Sequence, residues 1–265
     1  MHPVLFKIGS ITLYTYGFMI AVGIVFGVTY LTRRGRKELR ITFDQVNNLF
    51  LLVFLAAVIG GKVFLFFESP RYYAESPGRL FAGSGFVFYG SFLFAIPTML
   101  WFFRKNKLPV YQMLDIMAIV TCLVHMFGRV GCFMAGCCYG KPTEGFLAVI
   151  FTDPACQAKP LNTPLFPSQL MEAGFILLVM LGLLYLRDRK QFHGQLFLVY
   201  IVAYAAGRFV LEYFRGDEVR GFIIDPWLSH SQFIALLIAF GALYFYPRWK
   251  KLQSITSNRS QPSRP

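Results

Sequence analysis

The chain has 265 residues, of which 56% are hydrophobic and only 15% charged, with a net charge of +13 and a mean hydropathy of +0.53. A soluble domain carries about a quarter charged residues, so this composition excludes an ordinary soluble fold. The basic residues fall in short clusters between apolar runs, which is a topology signal rather than a nucleic-acid surface, and no nucleic-acid partner is expected.

A membrane span needs about 20 mostly apolar residues. Seven stretches qualify in chain order: 11–31, 46–67, 86–103, 111–127, 169–186, 195–213 and 230–247. The third contains Pro97, and the fourth is short and carries Asp115 and His125. Residues 1–16 lack a cationic start and a small-residue cleavage site, so no removable leader is expected. Alternate connections hold sixteen Lys and Arg on one side and eight on the other. The richer side is cytoplasmic by the positive-inside rule, which places the N-terminus outside and the C-terminus inside. The expectation is an all-α integral membrane protein of about seven transmembrane helices, residues 1–250 forming one polytopic domain. Its outer loops are 68–85, rich in Gly, Pro, Ser and Tyr, and 141–168, which holds five prolines. Residues 251–265 read as a disordered cytoplasmic tail.

The stretch that organises the chain is Gly128-Arg129-Val130-Gly131-Cys132-Phe133-Met134-Ala135-Gly136-Cys137-Cys138-Tyr139-Gly140. Four glycines in thirteen residues predict a bend whose backbone approaches a ligand, or a tight helix junction. Arg129 offers a fixed fork of donors suited to phosphate. In the sixth span Tyr204, Arg208, Glu212 and Arg215 recur at helical spacing and share one face. Charges inside a bilayer are costly and mark a site or pathway, and Arg208 can pair with Glu212 while keeping donors free. Tyr16-Gly17 opens the first span, where a belt anchor and a functional tyrosine are both open readings. Gln169 and Glu172 open the fifth, and a structural role for Glu172 stands beside a functional one. Lys62 needs a partner, Asp115 being one candidate, and His125 reads as a hydrogen-bonded filler. Cys132, Cys137, Cys138 and Cys156 lie on the outer side, where a disulfide between Cys156 and Cys137 or Cys138 is an option. The C-x4-C-C spacing is looser than a metal motif, so no metal and no cofactor are expected.

These residues resemble the bacterial prolipoprotein diacylglyceryl transferase family over nearly the whole length. The family's Gly-Arg-x-Gly-Asn-Phe-x-Asn-x-Glu segment stands here as Gly128 to Cys137, ending at Gly140. Tyr16-Gly17, Phe43-Asp44, Gly60-Gly61-Lys62, Pro167-Ser168-Gln169-Leu170-x-Glu172 and Gly207-Arg208-Phe209-x-x-Glu212-x-x-Arg215 follow in the family's order. The resemblance implies a multi-pass enzyme of the bacterial plasma (inner) membrane, acting in lipoprotein biosynthesis. It would move the diacylglyceryl group of phosphatidylglycerol to the lipobox cysteine in the signal peptide of a prolipoprotein. It makes Arg129, Arg208 and, in the place of the family's proposed base, Tyr89 catalytic, with Gly128, Gly131, Tyr16, Gln169, Glu172, Tyr204, Glu212 and Arg215 binding substrate. The family's histidine in its Gly-Gly-x-x-Phe-His-Gly-Gly stretch is Tyr89 here, its two hallmark asparagines are Cys132 and Ala135, and its glutamate is Cys137. Each departure removes a charge or a hydrogen-bonding group, apart from the tyrosine, which donates better than it accepts at neutral pH. Two readings therefore stand: a transferase whose arginines carry the step with Tyr89 in the histidine's place, or a non-catalytic phospholipid carrier of the same fold. A thiol relay through Cys132, Cys137 and Cys138 is a third, lesser one.

Overall fold

The computed structural model describes residues 1–9, 11–76, 78–82, 87–216, 221–224 and 227–259. It is mostly helical, as hydropathy requires. Six of its helices are long and apolar enough to cross a membrane: α1 (Thr15–Leu39), α2 (Phe43–Glu68), α6 (Val110–Ala135), α7 (Ser168–Arg187), α8 (Gln195–Glu212) and α9 (His230–Arg259, over His230–Gln253). The third expected span is α5 (Phe88–Lys105), which holds Pro97 and ends on Arg104 and Lys105, and it is not among the six. Large apolar side chains such as Leu178, Tyr185 and Phe240 stand two-thirds exposed along these helices, as lipid-facing side chains do. The protein is a multi-pass membrane protein.

The contacts divide the chain into two units, Met1–Thr29 with Leu114–Pro265, and Tyr30–Met113. In the second unit Thr42 opens α2 with a capping box: its hydroxyl accepts from the Gln45 amide while the Gln45 side chain accepts from the Thr42 amide. Helix α2 packs closely on α5 because Gly60 and Gly90 face each other, and a Cβ on either would collide with the other's carbonyl oxygen. Two short helices, α3 (Pro70–Glu75) and α4 (Gly78–Ala82), occupy the loop that follows α2.

The first unit begins with a hairpin, β1 (Val4–Ile8) paired antiparallel with β2 (Ile11–Tyr14), which leads into α1. Helix α1 lies on α6 through two glycines. A Cβ at Gly23 would stand 3.0 Å from Phe127, and one at Gly131 would stand 3.1 Å from Tyr16. Farther on, β3 (Val149–Ile150) pairs with β4 (Pro164–Leu165), and β5 (Phe222–Ile224) with β6 (Leu228–Ser229). Helix α8 is anchored at its start by Asp115 of α6. One carboxylate oxygen accepts from the Leu196 and Phe197 amides at 2.9 and 3.3 Å, and the other pairs with Lys190 at 2.9 Å. Asp115 thus pairs with Lys190 and satisfies the open amides that the first turn of α8 presents. Helix α9 runs on to Arg259, past residue 251 where the tail was expected to begin, and residues 260–265 lie outside the described ones.

Candidate active site

The glycine-rich stretch is helix where a bend was expected. Helix α6 continues through Gly128, Arg129 and Gly131 to Ala135, and the chain turns only at Gly136, whose φ is +70°. Of the glycines inside it, Gly131 serves close helix packing by receiving Tyr16, while Gly128 has open space around it. The turn is a Schellman cap. The Gly136 amide donates to Phe133 O at 3.2 Å and the Cys137 amide to Cys132 O at 3.1 Å. Because residues 128–132 stay helical, Arg129 shares a face with His125 one turn earlier, and its Nε donates to His125 Nε2 at 3.3 Å.

Beyond the cap, residues 139–141 lie between two other segments. The Gly140 amide donates to Phe166 O at 2.8 Å, the Lys141 amide to Phe214 O at 3.0 Å, and the Gly216 amide to Tyr139 O at 3.2 Å. A Cβ on Gly140 would meet both the Phe166 and the Phe214 oxygens, so only glycine fits between them. From α7, Ser168 Oγ and Gln169 Nε2 donate to the carbonyls of Cys138 and Cys137, each at 2.7 Å. This clamp ties the end of α6, the start of α7 and the end of α8 to one place.

Glu172, one turn into α7 and 2% exposed, is the hub of what gathers there. Its Oε1 is 2.9 Å from Arg129 Nη2 and accepts the Tyr204 hydroxyl at 3.2 Å, and its Oε2 is 4.0 Å from Arg215 Nη1. His125 Nε2 lies 3.5 Å from the same Oε1 and 3.3 Å from Arg129 Nε, so the imidazole stands between the carboxylate and the guanidinium. The His125 ring meets Tyr204 edge-on at 5.1 Å.

Arg208 is 8% exposed and pairs with Glu212 at 2.6 Å, at an angle outside hydrogen-bond geometry. Its Nη2 also reaches Ser231 Oγ at 3.4 Å. Its Nη1 is buried and has no hydrogen-bond partner among the described residues. Arg208 is within electrostatic reach of Arg215 and Glu172, so the two branches of the site are one field. Three guanidinium groups and two carboxylates thus stand together in a low-dielectric place.

Of the residues named from sequence, Arg129, Gln169, Glu172, Tyr204, Arg208, Glu212 and Arg215 come together here. Tyr16 adjoins through its packing on Gly131. Tyr89 belongs to the other unit, in the first turn of α5, and is 56% exposed; residues 84–86 of its motif lie outside the described ones. His125 reads from sequence as a filler, yet its i, i+4 spacing to Arg129 was the available signal. Among the described residues no disulfide joins the cysteines, the Cys156 pairing included. The Sγ atoms of Cys132, Cys137 and Cys138 nevertheless lie within 4.8 Å of one another. Shared hydrogen bonds with Cys132 and Cys137 hold the Cys138 thiol well below the ordinary thiol range, helped by Arg215 and Arg129, and push that of Cys137 up.

Fold and site together define a class: a multi-pass membrane protein with a buried arginine cluster, held by carboxylates, at the ends of three helices. The chain belongs to the prolipoprotein diacylglyceryl transferase family, whose model matches residues 3–247. It is 35% identical over 237 residues to the phosphatidylglycerol–prolipoprotein diacylglyceryl transferase of Clostridium tetani, covering 89% of this chain and 93% of that one. A second such transferase, from Clostridium perfringens, is 32% identical over 93% of this chain and 94% of its own. The Dehalococcoides mccartyi transferase is 30% identical over 97% and 98%.

Proposed function

We infer that the arginine cluster holds the phosphate of phosphatidylglycerol while its diacylglyceryl group passes to the lipobox cysteine of a prolipoprotein, at the bacterial inner membrane. Family membership and the relatives' names support the transferase activity and its two substrates. The observation that carries the binding mode is the buried Nη1 of Arg208, which has no hydrogen-bond partner among the described residues. A buried charged donor without an acceptor is expensive, and an anionic oxygen arriving there removes that cost.

The chemistry asks little of the protein by way of a nucleophile, because the acceptor sulfur supplies it. A C–S bond forms to the glyceryl carbon, the C–O bond to phosphate breaks with its electron pair on the phosphate oxygen, and glycerol phosphate departs carrying the thiol's proton or leaving it to water. What the site contributes is charge stabilisation on the leaving phosphate, by preorganised donors in a water-poor place. Arg208, oriented by Glu212, and Arg129, oriented by Glu172, perform that work in this reading. Arg215 and Tyr204 complete the set, and Gln169 fixes the turn beneath it.

The test is transfer in vesicles of phosphatidylglycerol given a lipobox peptide, with the thioether product read by mass spectrometry. Wild type forms it and Arg208→Ala does not. Lipid bound by wild type without any thioether would instead favour the carrier, a reading prompted by the polar groups lost at Cys132, Ala135 and Cys137.

A further inference from the structure

We propose that Cys132, Cys137 and Cys138 bind one soft divalent cation, with Zn²⁺ the first choice, at the capped end of α6. The argument begins with the helix cap. In a Schellman motif the side chains three residues inside and two beyond the cap touch, and here those positions are Cys132 and Cys137. An ordinary cap places two apolar side chains at that contact. This one places two thiols, and the next residue adds a third. Cys138 takes a φ of 58°, a conformation that disfavours any side chain with a Cβ, and its sulfur joins the other two.

The dimensions fit a metal. With Zn–S bonds of about 2.3 Å, tetrahedral geometry sets the sulfurs about 3.8 Å apart. The three Sγ atoms all lie within 4.8 Å of one another, a gap that small side-chain rotations close. Three thiolates are soft donors, which select zinc or copper(I) over magnesium or calcium.

The surroundings support the same assignment. Metal sites are rigid because a second layer of bonds holds the ligands, and here Gln169 and Ser168 grip the carbonyls of Cys137 and Cys138 at 2.7 Å. The negative end of α6 favours a cation beside its last turn. A divalent ion with three thiolates carries a net charge of about −1, and Arg129 and Arg215 act electrostatically on the cluster. Cys132 is buried while Cys137 and Cys138 are partly exposed, so an ion has a way in. The inference concerns the cysteines alone and holds whether or not the arginines act on a phosphate.

The experiment uses the full chain in detergent micelles, reduced, stripped with a chelator and titrated with Co²⁺, then Zn²⁺. Thiolate-to-cobalt charge-transfer absorption should saturate at one ion per chain and vanish as one equivalent of Zn²⁺ displaces it. Cys132→Ser, Cys137→Ser and Cys138→Ser should each weaken binding by about tenfold or more, since even outer-layer losses have that effect. A Cys122→Ser/Cys156→Ser chain, which keeps the three thiols, should still bind one ion. As a check that needs no variant, Zn²⁺ should slow alkylation of Cys137 and Cys138 together in the wild-type chain. Uptake well below one ion per chain, absorption unchanged by the serine substitutions, or a disulfide among the three in the protein as isolated would overturn the assignment.

Discussion

Arg129 Nη2 stands 2.9 Å from Glu172 Oε1, joining two side chains 43 positions apart in the chain, one near the end of α6 and one near the start of α7. Both are largely shielded, with side-chain exposures of 16% and 3%. The same carboxylate accepts from Tyr204 and faces Arg215, so it organises one guanidinium from each side of the clamp.

Glu172→Gln keeps the shape and removes the charge. Breaking a buried ion pair by neutralising one partner costs about 3–5 kcal/mol. Transfer should fall on the order of 100-fold, as when one preorganised group is lost from a charge-stabilising site. Denaturation midpoints of the purified chain and thioether formation, followed side by side, check both numbers; unchanged stability with unchanged rate contradicts the hub.

Arg208 discriminates between a point charge and a fork. Arg208→Lys keeps the positive charge, loses the planar pair of donors, and should retain only a small fraction of the rate. Arg208→Ala should fall further. If lysine restored the full rate, the geometry around Glu212 and the orphan Nη1 would be irrelevant to turnover.

Asp115 provides the opposite case. It pairs with Lys190 and accepts the first amides of α8, and these partners lie outside the arginine cluster. Asp115→Ala leaves a partly buried lysine and two amides of α8 without their carboxylate, so about 2–4 kcal/mol of stability should go. The folded fraction should keep its KM for lipid. A large KM change at unchanged stability would move Asp115 into the site.

How much of this was legible beforehand divides along the range of the contacts. The helices were visible because apolar runs are local, and the Arg208–Glu212 pair was visible because i, i+4 neighbours meet on any helix. The Arg129–Glu172 pair was not, since no local rule joins α6 to α7. The glycine-rich stretch misled: Gly131 reads as a turn residue, but in a membrane helix a small residue marks close packing, here on Tyr16. The Asp115 partners were out of reach for the same reason, lying 75 and 81 positions away.

The clamp itself makes a prediction. Gly140→Ala sets a Cβ against the carbonyls of Phe166 and Phe214, and overpacking of this kind costs about 1–3 kcal/mol. Because Phe214 precedes Arg215, activity should drop more steeply than stability does. Limited proteolysis and transfer assays on the same preparation separate the two effects, and parallel losses would show that the strand contact only holds the fold.

The most direct test of the account is the binding of phosphatidylglycerol to wild type, Arg129→Ala, Arg208→Ala and the double variant, each shown to be folded, measured in micelles together with thioether yield. The expected result is lipid retained by wild type, weakened in each single variant, absent in the double, with no product from any of the three. Product from the double variant at a rate near wild type would contradict the claim that these two guanidinium groups hold the phosphate through the reaction.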